Sequence, residues 1–585
     1  MNEVWNLDRM YSGFDDPKYL ADFAEFEKKV GAFIAFSQTL ENAEPLEGLR
    51  TGIRLKEELD HVSDVLGSYP HLRAATNAND VEAISQSGRM MGVYSNMAGA
   101  NAVFRQWVCG IPNLMELVSQ DDYLRDYSFL FQGMLDMHRY DLAPEASQVS
   151  AKLRLSGGSA WSKLQGELTS TVPVSYRGGV TNLSSIRNLA YDEDPQVRKD
   201  AYEAELACYE AIKAPVAHAL NAIKLETIST CQLCGYESPL AMTLKHSDME
   251  RATLDAMLGA MDEYLPKFWQ YLKAKAKALG HENGLPWYDL FAPVGAASTS
   301  FTTEQAKDFL LEQFATFDDE LTEMVRTAFD DAWIDFYPRD GKRGGAFCSS
   351  IHAIGESRIL TNYDGMFTDV VTLAHELGHA FHNRCIHDHR PLNRDYSMPV
   401  AETASTFNEC VVMNAAIKAA KDKNEKIALI ESQLQDATQI ICDIYSRFRF
   451  EDAVFKNRPN QFMNADALCE LMLDAQKQSY GDGLDHSFLH PYMWICKSHY
   501  YGPVYYNFPY AFGGLFARGL YAQYEKEGAA FVPKYKKLLH TTTVATAEDT
   551  AKVAGIDLTD KAFWRNALQT IADNIDEFCN LLEES

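Results

Sequence analysis

Two histidines four residues apart, with a glutamate directly after the first, form the segment of this sequence best suited to chemistry: His375-Glu376-Leu377-Gly378-His379. On a helix, residues i and i+4 lie one turn apart on one face, with Cβ atoms about 5–6 Å apart. Both imidazoles can then reach a single Zn²⁺. Glu376 points roughly a sixth to a third of a turn away, so it is placed to take a proton from water at the ion rather than to ligate. The bland alternative is a core helix whose small residues Ala374, Gly378 and Ala380 admit a close neighbour. Against it, 16 histidines and 82 acidic residues, about half of them Glu, give roughly 0.03 chance matches to the pattern.

A catalytic zinc takes three protein ligands and keeps a fourth position open. Candidates after the motif are His382, His387, Asp388, His389, Asp395, Glu402 and Glu409. The short-range third-histidine pattern needs Gly at position 382, where this chain has His. Three ligands on one straight helix would splay along its axis, so a carboxylate from a following antiparallel helix is geometrically easier. Glu402 and Glu409 are seven apart and share a helix face. One can ligate while the other orients a ligating histidine; spacing leaves open which does which.

The elements that must hold these residues read mainly as helices. Apolar residues recur near a 3.6 period from Val197 to Ile228, with a kink expected at Pro215. A helix is expected from Ala401 to Lys421, opened by Ser397-Met398-Pro399. The best strand candidates are Ala346 to Ile354 and Ser357 to Tyr363, just before the motif. Asp192-Glu193-Asp194-Pro195 is a polar break. Segment 498–511 holds one His and five Tyr; such aromatics usually fill cores, but Tyr OH and His N–H can also stabilise a developing oxyanion.

Composition excludes other classes. The net charge of −28 disfavours nucleic acid. No run of about 18 apolar residues predicts a membrane span, and the first residues lack a secretory pattern. The 11 cysteines are odd in number and scattered, as free thiols of a reducing cytoplasm are. Cys231 and Cys234 form a CxxC without a second pair, which reads as a helix end. No phosphate cradle or nucleophile elbow is present.

The combination HELGHAFH with PVAETASTFNE resembles the oligoendopeptidase F family of the thimet oligopeptidase superfamily. The similarity extends to Trp5-Asn6-Leu7-Asp8-Arg9-Met10-Tyr11, Lys342-Arg343-Gly344-Gly345-Ala346-Phe347, Leu360-Thr361-Asn362-Tyr363, His499-Tyr500-Tyr501 and Tyr505-Tyr506-Asn507-Phe508-Pro509-Tyr510. The resemblance implies a mainly α, two-lobed metallopeptidase with a deep substrate channel and a small β element near the zinc helix. It implies one Zn²⁺ per chain on His375, His379 and Glu402, with Glu409 in support and Glu376 as general base. It assigns oxyanion roles to His499, Tyr510 and, with a less conserved loop between them, Tyr506. Gly344 and Gly345 are expected to form a loop closing over the peptide, and His352 and Tyr363 to contact its backbone. Residues 1–195 are expected to form an N-terminal helical domain and 196–585 the catalytic domain. The expected activity is internal cleavage of short peptides in the cytoplasm; the alternatives are an exopeptidase, such as a dipeptidyl carboxypeptidase, with the same centre, or a non-catalytic peptide-binding protein. The oligomeric state is unknown.

Overall fold

The computed structural model describes residues 2–295 and 300–583. In chain order, the helices and strands used below are α1 (Pro17–Ser37), α2 (Pro45–Thr76), β1 (Pro173–Tyr176), β2 (Gly179–Asn182), α3 (Leu183–Asn188), α4 (Pro195–Tyr209), α5 (Lys213–Cys234) and α6 (Arg251–Ala278). They continue with β3 (Ile334–Asp335), β4 (Phe347–Ile351), β5 (Glu356–Leu360), α7 (Phe367–Cys385), α8 (Met398–Ala401) and α9 (Thr403–Ala419). The last are α10 (Ile444–Asn457), α11 (Phe508–Glu527), α12 (Val532–Thr541) and α13 (Lys561–Glu583). The fold is mainly α, as the periodicity predicts.

Three apolar clusters organise the described residues. One runs from Trp5 to Phe131 and takes in Ile351 and Leu360. A second joins Val172–Ile223 to Phe450–Tyr501. The largest spans Ile228 to Phe578 and contains the packed pair α6 and α13 as well as α7, α9 and α11.

The sheet that flanks α7 has the order β3-β5-β4, with β5 parallel to β3 and antiparallel to β4. Every residue of β5 is buried. Successive side chains on a strand face opposite ways, and Ile359 joins the largest cluster while Leu360 joins the N-terminal one. This strand therefore couples the N-terminal helices to the helix that carries the motif.

Local chemistry shifts several expected boundaries. The chain between Val197 and Ile228 is two helices, broken after Tyr209. Pro215 falls in the first turn of α5, where its missing N–H costs no intrahelical bond, so it kinks nothing. The strands are shorter than predicted. His352 sits in a 3-10 turn closed by Gly355 at φ +66, and Tyr363 lies beyond β5. Cys231 and Cys234 end α5, and all eleven cysteines are free. Among the described residues no helix is long and apolar enough to cross a membrane.

Candidate metal centre

Helix α7 opens where the Asp369 carboxylate accepts from the backbone N–H groups of Asp364 (2.9 Å) and Met366 (3.0 Å). Val370, Leu373, Ala374, Leu377 and Phe381 are buried, the i, i+3, i+4, i+7 stripe that seats a helix on a core. His375 and His379 stay partly exposed on another side.

Helix α9 runs antiparallel against α7, since Ala374 pairs with Asn408, His375 with Glu409, and Gly378 with Ala404 and Ser405. The approach is close. A Cβ built on Gly378 would lie 2.5 Å from the Ala404 carbonyl oxygen and the Ser405 Cα. Glu402 is the single residue between α8 and α9, with φ −90 and ψ 9. That break turns its carboxylate toward the histidines, and the Ser405 hydroxyl donates to its Oε2 at 2.7 Å.

The three ligand atoms form a nearly equilateral triangle. His375 Nε2 lies 3.2 Å from His379 Nε2, and Glu402 Oε2 lies 3.3 Å from the first and 3.4 Å from the second. Tetrahedral bonds of about 2.0–2.1 Å to an ion would space its ligands about 3.3–3.4 Å apart. The donor set and its spacing thus fit a four-coordinate divalent ion with one position open. The other nitrogen of His375, Nδ1, donates to Glu409 Oε1, the partner arrangement that fixes the tautomer of a ligating histidine.

Electrostatics follow from this crowding. Burial opposes charge on His375, but the Glu402 and Glu409 carboxylates outweigh it and push the imidazole up to about 10. Burial opposes charge on Glu402 too, but its hydrogen bonds to His375 and His379 hold it well below the usual carboxylate range. Glu376 is buried, and burial pushes its carboxyl upward.

Segment 498–511 contributes a cluster of rings. His499 lies 5.5 Å from Tyr506 and 6.0 Å from Tyr510, and the two tyrosines are 5.7 Å apart, centroid to centroid. Burial, then a hydrogen bond that its OH donates to Tyr506 and the nearby Tyr506 and Glu402 charges, push Tyr510 up to about 12, so it is neutral at neutral pH. Burial lowers His499, whose Nδ1 is buried with no partner among the described residues. The link to the triad is Gly513 on α11, where an added Cβ would meet the Glu402 Cβ at 3.0 Å.

The remaining predicted residues are not ligands of the triad. Tyr363 is 2% exposed and donates its OH to the Phe301 carbonyl at 3.0 Å; it packs in the core and has no hydroxyl free for a peptide. His352 lines a cavity of about 290 Å³ with Arg9, Glu356 and His387, and none of the three ligands lines it. Gly344 and Gly345 are in an exposed turn tied down by the Asn362 amide, which donates to the carbonyls of Arg343 (3.0 Å) and Gly345 (2.7 Å). His382 is fully buried, stacked on Tyr396 and bonded to Thr542, outside the triad. Gly513, Ser405 and Asn408 were not singled out by sequence; a small residue at a helix contact and polar residues three and six after Glu402 were the available signals.

Residues 188–570, well over half of the chain, match Peptidase family M3. Oligopeptidase PepF of Bacillus subtilis (strain 168) is 24% identical over 542 residues, covering 89% of this chain and 80% of that protein. A solved Chlamydophila abortus structure described as a peptidase superposes with a TM-score of 0.85 at 19% identity, covering 99% of this chain and 98% of that one. Oligoendopeptidase-F from Enterococcus faecium does so with a TM-score of 0.72 at 17% identity, covering 99% and 100%. At these identities the superpositions speak for the fold.

Proposed function

The chain belongs to peptidase family M3, and from that premise we propose that it is a zinc-dependent oligoendopeptidase that cuts short peptides internally. The observation that carries this reading is the 3.2–3.4 Å triangle of His375, His379 and Glu402, with Glu376 on the same helix. Two imidazoles and one carboxylate are a donor set typical of hydrolytic zinc. When bound, zinc supplies Lewis acidity that polarises the scissile carbonyl and makes water nucleophilic near neutral pH.

The protein's own groups do the rest. Glu376 Oε takes the proton of the attacking water and returns it to the leaving amine nitrogen. Its buried setting favours a carboxyl able to hold that proton between the two steps. Tyr510 OH, with Tyr506 and His499 beside it, donates to the carbonyl oxygen as negative charge develops there. Glu409 keeps His375 Nδ1 protonated, leaving Nε2 free to ligate.

On this reading residues 1–195 form an N-terminal helical domain and 196–585 the catalytic domain; the apolar core from Trp5 to Phe131 supports the first, although it takes in Ile351 and Leu360, and Val172–Ile186 pack with later helices across that boundary. The eleven free thiols support a cytoplasmic setting. The direct test is Glu376→Gln, which keeps the shape of the side chain and removes its basicity. It should bind zinc normally and lose about 10²–10⁴-fold in kcat on a short peptide. A near-normal rate would remove Glu376 from the mechanism.

A further inference from the structure

A second set of side chains able to share one ion lies outside the triad. Asp388 and His389 sit in the turn that leaves α7, and His540 is in the last turn of α12. One ligand atom from each lies within 4.8 Å of the other two. His540 Nε2 is 3.2 Å from Asp388 Oδ1, and the rings of His389 and His540 are 4.0 Å apart between centroids.

The histidine tautomer suits ligation. His389 Nε2 lies 2.8 Å from the His540 backbone carbonyl, and only a protonated Nε2 can donate there. Nδ1 then keeps its lone pair, the state of a ligating histidine whose other nitrogen is held by a backbone oxygen. The turn beneath is braced as well. Arg394 Nε donates to the His389 carbonyl at 2.9 Å and Arg394 Nη2 to the His387 carbonyl at 3.0 Å. The His389 N–H donates to the Ile386 carbonyl at 3.1 Å. Two of the three donors therefore stand on backbone that is fixed beforehand, which lowers the ordering cost of binding.

We propose that Asp388, His389 and His540 form a second metal site, taking a divalent transition ion such as Zn²⁺, Ni²⁺ or Co²⁺. Two imidazoles select this class over Mg²⁺ and Ca²⁺, which prefer all-oxygen shells. The Asp388 side chain is 77% exposed and that of His540 42%, so water completes the shell and the ion exchanges readily. The site clamps the exit of α7 to the end of α12. It reinforces a contact already present, because His382 of α7 bonds Thr542, two residues beyond His540, at 2.9 Å. The ion acts on stability and not on the peptide.

The test uses the zinc-loaded full chain, dialysed against increasing Ni²⁺, with metal counted by elemental analysis and Tm followed in parallel. Wild type should hold two ions per chain, and its Tm should rise as the second site fills. Asp388→Asn and His540→Gln change exposed side chains; each should hold one ion, lose the metal-dependent rise in Tm and keep its peptide-cleaving rate. Glu402→Gln, which disables the first site, should still take up Ni²⁺ at the second. One ion per chain in wild type at saturating Ni²⁺ would overturn the proposal. So would a second equivalent that persists unchanged in both Asp388→Asn and His540→Gln, since thiols or other surface groups would then hold it.

Discussion

Glu402 and Glu409 carry the same group about two helical turns apart, yet the geometry asks different things of them. Glu402 Oε2 stands between two imidazole nitrogens, whereas Glu409 meets the far nitrogen of one. Glu402→Gln should therefore abolish tight zinc binding. Glu409→Gln should weaken zinc affinity by about 10–100-fold, as loss of a histidine's outer partner does; competition with a zinc chelator measures both. Equal losses would erase the distinction. Spacing put both carboxylates on one face and went no further, because the choice depends on a one-residue break at Glu402 that no periodicity encodes. Tyr510→Phe keeps the ring and removes only the OH. It should leave zinc content and Tm unchanged and lower kcat by about 10²–10³-fold with little change in KM. If Tyr510 only fills space, kcat will hardly change and any loss will appear in Tm.

Between elements, the decisive feature is how closely α7 and α9 approach. Gly378→Ala would drive a methyl into the Ala404 backbone, and overpacking of this kind costs about 1–3 kcal/mol. The strain falls next to Glu402, so zinc content should drop along with Tm. Gly166→Ala is the control. That glycine lies in the helix Gly158–Thr171 with nothing within 4 Å of an added Cβ, so the change should stabilise by about 0.5–1 kcal/mol. Thermal melts and metal analysis of the two variants check both signs. The sequence shows Gly378 as a small residue on a helix. What it cannot show is the partner, which is set by chain crossings such as the one that places Gly513 against Glu402. For the same reason His352 and Tyr363 read as members of regular strands, whereas Gly355 turns the chain early and the Phe301 carbonyl draws Tyr363 inward.

At the scale of the whole molecule, the helical architecture is legible from apolar periodicity, and the M3 match bears out the family resemblance. Acid stability depends on a buried knot that sequence does not reveal. Glu205 on α4 accepts from Arg187 of α3 at 2.6 Å and from Tyr209 at 2.8 Å, and lies 3.2 Å from His490. Burial alone would raise its pKa, but His490 and Arg187 overcome this and hold it at about 2. A carboxylate lowered on folding stabilises fully above its unfolded value of about 4.3, and that contribution is lost as pH falls through the folded value. The Tm of wild type should thus fall between about pH 4.5 and 2 more steeply than that of Glu205→Gln, which should start lower at pH 7. Parallel slopes would show that other groups govern acid unfolding.

We propose internal peptide cleavage with zinc held on His375, His379 and Glu402. An internally quenched peptide of about a dozen residues with both ends blocked tests it most directly, with products read by mass spectrometry. The zinc-loaded protein should cut within the peptide, stop when EDTA strips the metal and resume when zinc returns, while Glu402→Ala should stay inactive throughout. An intact blocked peptide with fully loaded wild type, or undiminished cleavage by Glu402→Ala, would rule out this mechanism.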